Sequence, residues 1–381
     1  MRPPLAPVYA ITDRAVSGIA DVSEIARRLL AVGVRCLQVR EKGMADRELL
    51  RTVETVGALG RERRATVLVD DRVDVARIAG VGVHLGEENL PAAEARAILG
   101  PSPWIGVSTH EEATARRAFG DASADYVSFG PVFESATKTG RPAQGLGELR
   151  RVAASKTKPL VAIGGITPEV LDAVWDSGAD SAAMIGGLLS GGRIEENARR
   201  ALDLARRRRR PGRIYLVGFM GSGKTAVGQR LAERLAIPFV DLDAEIERTS
   251  GKTIRALFEE SGEAAFRERE AAFLDGTELL TQAVVATGGG CFVREGNRDR
   301  IARLGTSVFL DVSLPTVRER LAGKTDRPLF QSVEQLEQLF AERAPFYRMA
   351  AVHVSLHGTE TVDEAADQVL VALEDREMLF G

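Results

Sequence analysis

Cysteine is nearly missing from this chain, which holds only Cys36 and Cys291. Two cysteines so far apart exclude a disulfide-rich scaffold, argue against a zinc site and suit a reducing compartment. Aromatic residues make up 5% of the chain and the formal net charge is -3, so no broad nucleic-acid-binding surface is expected. No apolar run reaches the ~20 residues that a membrane-spanning helix requires. The opening MRPPLAPVYAITD lacks the apolar core of a signal peptide, so we expect a cytoplasmic protein.

The length of the chain, 381 residues, exceeds what a single hydrophobic core usually holds. Hydrophobic residues make up 44% and charged residues 28%, which are ordinary values for a globular protein. Two domains are therefore expected.

Short apolar runs recur through the first half, each followed by a charged segment with helical periodicity. The eight runs are PVYAITD, RCLQVREK, TVLVDD, GVHLG, WIGVSTH, YVSFGPVF, PLVAIGGI and SAAMIGGL. Continuous apolar runs are typical of parallel strands that helices cover on both faces. The pattern predicts a (β/α)8 barrel, and an open doubly wound sheet is the alternative.

Polar side chains collect where these predicted strands end. Asp13, residues 38–42 and the pair Asp70–Asp71 each follow a strand, and glycine pairs follow the last two strands. In β/α barrels the chemistry lies at the carboxyl ends of the strands, and a phosphate site is common after the last two. Arg and Lys bind phosphate and carboxylates bind Mg²⁺. We therefore expect a phosphorylated substrate and a magnesium ion here.

The motifs QVREK, DDRVDVA, GVHLGEENLP, GVSTH, GPVFESATK and VAIGGI resemble those of thiamine-phosphate synthases, across residues 5–207. That family joins hydroxymethylpyrimidine diphosphate to thiazole phosphate and releases pyrophosphate. The resemblance implies pyrimidine-diphosphate contacts at Gln38, Val39, Arg40, Glu41, Lys42, Asp70, Ser108 and Lys138, with Arg40 and Lys138 as catalytic residues. It implies thiazole-phosphate contacts at Ser135, Ala136, Thr137, Gly165, Ile185 and Gly186. It implies Mg²⁺ ligands at Asp71 and Asn89.

The chain departs from this family's pattern at three places. It has Asp70–Asp71 where Asn-Asp is usual, residues 87–89 read EEN instead of QED, and Gly186 stands where serine is frequent. One hypothesis is that Asp70 joins Asp71 around magnesium and compensates for Asn89. A thiazole tautomerase or an inactive regulatory barrel is the alternative. His110 is either a proton carrier or a structural histidine.

The second half contains G-x-x-x-x-G-K-T over residues 218–225, directly after an apolar strand and at the start of a helix. This context is the one that a phosphate-binding loop requires. Lysine reaches the β- and γ-phosphates of the nucleotide, and the threonine hydroxyl meets Mg²⁺. Later strands predict a five-stranded parallel sheet. The strand AVVATGGG ends in glycines and not in the acidic residue that motor-type ATPases place there. An acidic pair occurs instead at Asp241 and Asp243, which favours a small-molecule kinase.

The motifs GFMGSGKT, DLDAEIE, FRERE, TGGG, DRPLF and ERAPFYR resemble those of shikimate kinases, over residues 212–375. The resemblance implies ATP contacts at Gly221, Ser222, Gly223, Lys224, Thr225, Ala226 and Arg327. It implies shikimate contacts at Asp243, Arg267, Gly289 and Arg343, and Mg²⁺ ligands at Thr225 and Asp241. Lys224, Asp243 and Arg327 are the expected catalytic residues, and Glu270 is expected to orient Arg267. Another small polyol or acid is the alternative acceptor.

Five consecutive arginines, residues 206–210, lie between the two halves. Without aromatic residues or further basic stripes they predict a linker that extends a helix, not a nucleic-acid-binding arm. We expect a synthase-like barrel at 1–207, a linker at 208–213 and a kinase-like domain at 214–381. The expected ligands are small-molecule substrates, ATP and Mg²⁺ at both sites, and an oligomer is possible. An ATP-dependent regulatory protein with a non-catalytic barrel is the alternative from another class.

Overall fold

The computed structural model describes residues 5–134, 142–208, 211–322, 333–376 and 378–379. Its backbone contacts divide the chain into two compact units, Met1–Ala205 and Arg206–Gly381. Within the described residues, no helix combines the length and the apolar character that crossing a bilayer demands.

The first unit is a closed barrel of eight parallel strands in which each strand pairs with the next and β8 pairs with β1. The eight-strand prediction is confirmed. The strands are β1 (Val8–Ile11), β2 (Cys36–Val39), β3 (Thr66–Asp70), β4 (Gly82–Leu85), β5 (Ile105–Thr109), β6 (Tyr126–Phe129), β7 (Leu160–Ile163) and β8 (Ser181–Met184).

Helices surround this barrel, and their apolar faces pack on the outward side chains of the strands to form the main core of the unit. They are α1 (Arg14–Ser17), α2 (Val22–Ala31), α3 (Asp46–Glu62), α4 (Val73–Ala79), α5 (Ala92–Leu99), α6 (Glu112–Gly120), α7 (Gly145–Ala153), α8 (Leu171–Asp176), α9 (Gly186–Leu189) and α10 (Ile194–Arg208). A smaller cluster fills the barrel interior and includes Tyr9, Cys36 and Tyr126.

The second unit is a five-stranded parallel sheet with the order β10-β11-β9-β12-β13. Its strands are β9 (Arg213–Val217), β10 (Phe239–Asp241), β11 (Ala283–Ala286), β12 (Thr306–Val312) and β13 (Val352–Leu356). The predicted five-stranded parallel sheet is therefore also confirmed. The first strand lies in the centre of the sheet, so the loop that follows it opens at the middle of the carboxyl edge, where ligands bind in such sheets.

The helices of this unit are α11 (Lys224–Leu235), α12 (Leu242–Ser250), α13 (Ile254–Gly276), α14 (Glu295–Leu304), α15 (Leu314–Leu321), α16 (Val333–Tyr347) and α17 (Val362–Asp375). Helix α13 is interrupted at Gly262, whose φ is 75°. Helix α17 begins with a capping box between Thr361 and Glu364, which satisfies exposed backbone groups of its first turn.

The arginine run is more than a linker where the structure describes it. Helix α10 continues to Arg208, and the guanidinium of Arg206 is 2% exposed and donates twice to Glu374 at 3.0 Å. Arg207 donates to the carbonyl oxygens of Arg234 and Glu233 at the end of α11. Cations at a helix carboxyl terminus stabilise its last carbonyl groups. Arg206 and Arg207 therefore belong to the packing of the second unit.

Candidate active sites

A cation and two carboxylates meet where the first three barrel strands end. Arg40 Nη1 lies 3.4 Å from Asp13 Oδ2, and Arg40 Nε lies 3.7 Å from Asp70 Oδ2. Gln38 Nε2 donates to Asp70 Oδ1 at 2.6 Å. Both oxygens of Asp70 therefore face Gln38 and Arg40. This arrangement does not support the hypothesis that Asp70 joins Asp71 around magnesium.

Asp71 and Asn89 come together at Gly86. Asp71 Oδ1 accepts from the Gly86 amide at 3.1 Å. A Cβ placed on Gly86 would lie 3.1 Å from Asn89 Nδ2 and 3.6 Å from Asp71 Oδ1, so both side chains border the same small space. One carboxylate, one amide oxygen and substrate phosphate form a donor set that Mg²⁺ accepts. The residues present therefore fit a magnesium ion.

The remaining residues of the QVREK motif differ in what they offer to a ligand. The side chain of Val39 is fully buried in the apolar core, so only its backbone can face a substrate. Glu41 accepts from Thr12 and Arg14 at 3.1 Å each, which turns its carboxylate toward those residues. Burial raises the pKa of Glu41, and the contacts with Thr12 and Arg14 oppose that shift. Lys42 is exposed in the turn after β2.

The expected thiazole-phosphate side of the barrel is a set of closely packed loops. A Cβ on Gly165 would lie 2.3 Å from the carbonyl oxygen of Glu134, and one on Gly187 would lie 2.4 Å from that of Ile166. Glycine is required there because backbone meets backbone. Ile185 precedes the short helix α9, which begins at Gly186. Ser135, Ala136, Thr137 and Lys138 lie outside the described residues.

Two histidines lie on or directly after barrel strands. His110 Nδ1 donates to the carbonyl of Gly130, and its Nε2 lies 4.0 Å from Glu87. His84 on β4 contacts the hydroxyl of Ser108 through Nε2 at 2.9 Å. We did not predict a role for His84 from the sequence. The signal was its place in GVHLG, where alternation along the strand turns a histidine into the barrel interior.

The phosphate loop of the second unit holds its lysine and its glycines in a defined arrangement. Lys224 is buried and its Nζ donates to the carbonyl oxygens of Gly218 and Phe219 at 2.9 Å each. Gly221 and Gly223 have φ values of 77° and 95°, which L side chains rarely adopt. The hydroxyl oxygen of Ser222 is buried with no hydrogen-bond partner among the described residues. Such an orphaned donor in a phosphate loop fits an anionic ligand.

The expected magnesium residues of this unit are in contact. Thr225 Oγ1 donates to Asp241 Oδ2 at 2.8 Å, and Asp241 Oδ1 accepts from the Ala244 amide at the start of α12. The hydroxyl and the carboxylate oxygens fit a Mg²⁺ ion held with nucleotide phosphates. Ala226 lies exposed in the first turn of α11. Among the described residues no group of three or more His, Cys, Asp or Glu side chains forms a metal cluster.

Two carboxylates and an arginine surround the glycines after β11. A Cβ on Gly288 would lie 2.6 Å from Asp243 Oδ1 and 3.0 Å from Glu270 Oε1. Arg267 Nη1 donates to both oxygens of Glu270 at 3.2 Å, so Glu270 orients Arg267 as the sequence predicts. A Cβ on Gly290 would lie 2.4 Å from the Arg267 guanidinium. The glycines therefore leave open the space that these side chains border.

Glu270 is fully buried, and its pKa is shifted from the ordinary value of a glutamate, as is typical of functional sites. Burial raises its pKa to about 7, Arg267 opposes this shift and the nearby charge of Asp243 adds to it. Asn297, which is also buried, donates to Glu270 Oε2 at 3.4 Å and to the carbonyl of Cys291 at 3.1 Å. Sequence reasoning missed Asn297, because nothing in its local pattern distinguishes it from a helix-surface residue.

Two further residues predicted to contact the substrate, Gly289 and Arg343, lie close together. A Cβ on Gly289 would lie 3.8 Å from Arg343 Nη1, and Tyr347 donates to the Gly289 carbonyl. Arg320, which the sequence analysis did not select, donates to the carbonyl of Gly221 at 3.2 Å. Arg327 lies outside the described residues.

Two family models match the chain, thiamine monophosphate synthase over residues 8–188 and shikimate kinase over residues 220–374. A shikimate kinase from Sulfurihydrogenibium sp. is 42% identical over 43% of this chain and 98% of its own length. A thiamine-phosphate synthase from Mycobacterium sp. is 39% identical over 53% of this chain and 98% of its own length. A solved thiamine phosphate pyrophosphorylase from Pyrococcus furiosus is 32% identical over 52% of this chain and 94% of that one, with a TM-score of 0.48. The chain is a fusion of two transferases, and belongs through its first half to the thiamine-phosphate synthase family and through its second half to the shikimate kinase family.

Proposed function

We propose that the barrel joins hydroxymethylpyrimidine diphosphate to thiazole phosphate, and that the second unit phosphorylates shikimate with ATP. The observation that carries the barrel half is the mouth formed by Arg40, Asp70, Asp71 and Asn89. The observation that carries the kinase half is the buried Arg267–Glu270 pair beside Asp243 and a phosphate loop.

In the barrel the reaction exchanges one bond for another. The C–O bond to the diphosphate breaks, its electron pair leaves with pyrophosphate, and the thiazole nitrogen forms the new C–N bond. No protein nucleophile is required, so stabilising the leaving charge is the main task. Arg40 supplies positive charge, while Gln38 and Asp70 hold the pyrimidine end. Mg²⁺ held at Asp71 and Asn89 would supply further positive charge beside the diphosphate.

In the kinase unit the substrate carboxylate pairs with Arg267 and Arg343, because guanidinium groups match carboxylate geometry. Asp243 accepts a hydrogen bond from the attacked hydroxyl and takes its proton as the oxygen bonds to the γ-phosphorus. ADP leaves with the electron pair of the broken P–O bond. Lys224 and the backbone of the loop stabilise the phosphates throughout.

The test is two separate assays on the full chain. Incubation with both thiamine precursors and Mg²⁺ should give thiamine phosphate, read by mass, and ATP with shikimate should give ADP and shikimate phosphate. ADP release without shikimate would favour the regulatory ATPase. Phosphorylation of a different polyol or acid in preference to shikimate would identify that compound as the acceptor of the kinase unit. Absence of thiamine phosphate would favour a tautomerase or an inactive barrel.

A further inference from the structure

A continuous line of hydrogen bonds crosses the barrel interior through side chains of six strands. It runs from Asp70 through Gln38, Tyr9, Tyr126 and His84 to Ser108, with successive distances of 2.6, 2.8, 3.0, 2.8 and 2.9 Å. We call these six residues the barrel chain. Its ends are the two residues expected at the pyrimidine and at the leaving pyrophosphate. It therefore links opposite ends of one substrate.

The middle of the barrel chain is sealed from water, whereas its ends are partly exposed. Tyr9 is 1%, Gln38 2%, Tyr126 0% and His84 7% exposed. Gly106 on β5 makes room for the Tyr126 ring, because a Cβ there would lie 1.9 Å from the ring. Burial raises the pKa of both phenols, so each tyrosine keeps its single proton. Each hydroxyl therefore has one hydrogen to donate.

The carboxylate of Asp70 sets the direction of the first links. A carboxylate only accepts, so Gln38 must turn its Nε2 toward Asp70. Its Oε1 then faces Tyr9, and a carbonyl oxygen also only accepts. Tyr9 therefore donates its hydrogen to Gln38, and its oxygen must accept from Tyr126.

Counting the available hydrogens in the same way fixes the direction of the remaining hydrogen bonds. Tyr126 gives its hydrogen to Tyr9, so it must accept from Nδ1 of His84, which therefore carries a hydrogen. A neutral imidazole has one such hydrogen, so Nε2 is bare and accepts from Ser108. The Ser128 hydroxyl lies 3.5 Å from the same nitrogen, at the outer limit of a hydrogen bond, so Ser108 is the nearer donor.

We propose that the barrel chain is a directional relay in which Asp70 fixes the tautomer of His84, and in which Tyr9, Tyr126 and His84 act as positioning residues. The relay holds the Gln38 amide in one orientation and commits the Ser108 hydrogen to His84. Pyrophosphate is an anion and needs donors, so Ser108 can donate to it only after this hydrogen is released. In consequence the orientation of Gln38 and the anion contact at Ser108 are coupled across the barrel. This last consequence rests on the proposed synthase function, whereas the tautomer does not.

The direct test is the tautomer of His84, measured by long-range ¹⁵N–¹H NMR of the full chain labelled at histidine nitrogen. The chain has only 4 histidines, and His84→Gln identifies the signal. We expect the hydrogen on Nδ1 in the wild-type protein. In Tyr9→Phe the relay is cut while the Asp70 charge stays, and the hydrogen should move substantially to Nε2.

Asp70→Asn is the matched comparison, because Asp70 pairs with His84 on the adjacent strand and could act on it directly. A relay requires that Tyr9→Phe move the hydrogen, whether or not Asp70→Asn does, because an asparagine amide oxygen can still accept from Gln38 Nε2. A shift in Asp70→Asn alone would mean a through-space effect and would overturn the relay. Wild-type His84 with its hydrogen on Nε2 would also overturn it. If Tyr9→Phe does not fold, Tyr126→Phe breaks the neighbouring link and carries the same prediction.

Binding of magnesium pyrophosphate, measured by calorimetry, tests the coupling. Freeing the Ser108 hydrogen in Tyr9→Phe should tighten binding by about threefold to tenfold, the range of a typical net hydrogen bond. Ser108→Ala should remove this gain when combined with Tyr9→Phe. An equal gain with and without Ser108 would refute the coupling. Failure of the wild-type chain to form thiamine phosphate would count against the proposed function and leave the tautomer result standing.

Discussion

The two units build their proposed phosphate sites in different ways. In the second unit one loop contains the whole cradle, and Lys224 already contacts the carbonyl oxygens of Gly218 and Phe219 in that loop. In the barrel, Arg40, the pair Asp70–Asp71 and Asn89 come from three separate segments of the chain and meet only when the barrel closes. A contiguous site tolerates little substitution within its motif. A dispersed site can change one residue while the others remain in place.

The three departures from the family pattern noted above lie in the dispersed site. Residues 218–225 keep the complete phosphate-loop pattern, whereas the barrel has exchanged residues at Asp70, Asn89 and Gly186. The structure gives Asp70 partners of its own, Gln38 and Arg40. Four predictions follow, two on these sites and two on buried ion pairs of the second unit.

Lys224→Ala should give the largest effect. Removing the cation from the nucleotide phosphates should lower kcat/KM for shikimate phosphorylation at least about 10²-fold, while thiamine phosphate formation stays unchanged. Each unit has its own hydrophobic core, so the loss of kinase activity should not affect the activity of the barrel. Lys252→Ala, which removes an exposed lysine of the same unit, is the control. Parallel loss of both activities in folded protein would contradict independent units.

Arg206→Gln tests whether the arginine run belongs to the second unit. Breaking the pair with Glu374 leaves a partly buried carboxylate without its partner, so unfolding of this unit should become easier by about 2 kcal/mol. The measurement is the urea midpoint for loss of kinase activity. Fluorescence of Trp104 and Trp175, both in the barrel, reports the other unit.

Arg200→Gln on the same helix is the control for this prediction, because its ion pair with Glu169 is exposed and worth little. Neither variant should change retention on nucleic acid. If the run were only a linker that extends the helix, as the sequence predicts, the urea midpoint of Arg206→Gln would be unchanged.

Glu270 should make the kinase sensitive to pH. Because burial raises the pKa of Glu270 to about 7, protonation below that pH removes the charge that orients Arg267. The KM for shikimate should therefore rise as pH falls from about 8 to 6, by roughly tenfold at most. In Glu270→Gln the KM should be high and flat across this range. Glu263→Gln removes only the exposed partner of Arg267 and should keep the wild-type profile.

Asn89→Asp should have the smallest effect. A second carboxylate beside Asp71 should lower the Mg²⁺ concentration at half-maximal thiamine phosphate formation by about threefold. Asp70→Asn should leave this midpoint unchanged, because both oxygens of Asp70 face Gln38 and Arg40. A marked rise of the midpoint in Asp70→Asn would restore the hypothesis that Asp70 serves the metal.

The sequence by itself determined both folds and the phosphate loop. Eight buried runs with helices between them favour a parallel barrel over an open doubly wound sheet, and residues 218–225 form a contiguous motif whose backbone geometry depends on local glycines. The Arg267–Glu270 pair was also predictable, because residues three apart on one helix are neighbours.

Only the tertiary structure decided which side chains meet across elements. Asp70 and Asp71 are adjacent in sequence, yet one faces Gln38 and Arg40 while the other faces Gly86 and Asn89. Arg206 becomes buried through Glu374, a residue far along the chain. The barrel chain joins six strands that no local pattern connects. These contacts depend on how the strands close and the helices pack. A polar side chain that this packing buries must find a hydrogen-bond partner, because burying it without one costs free energy.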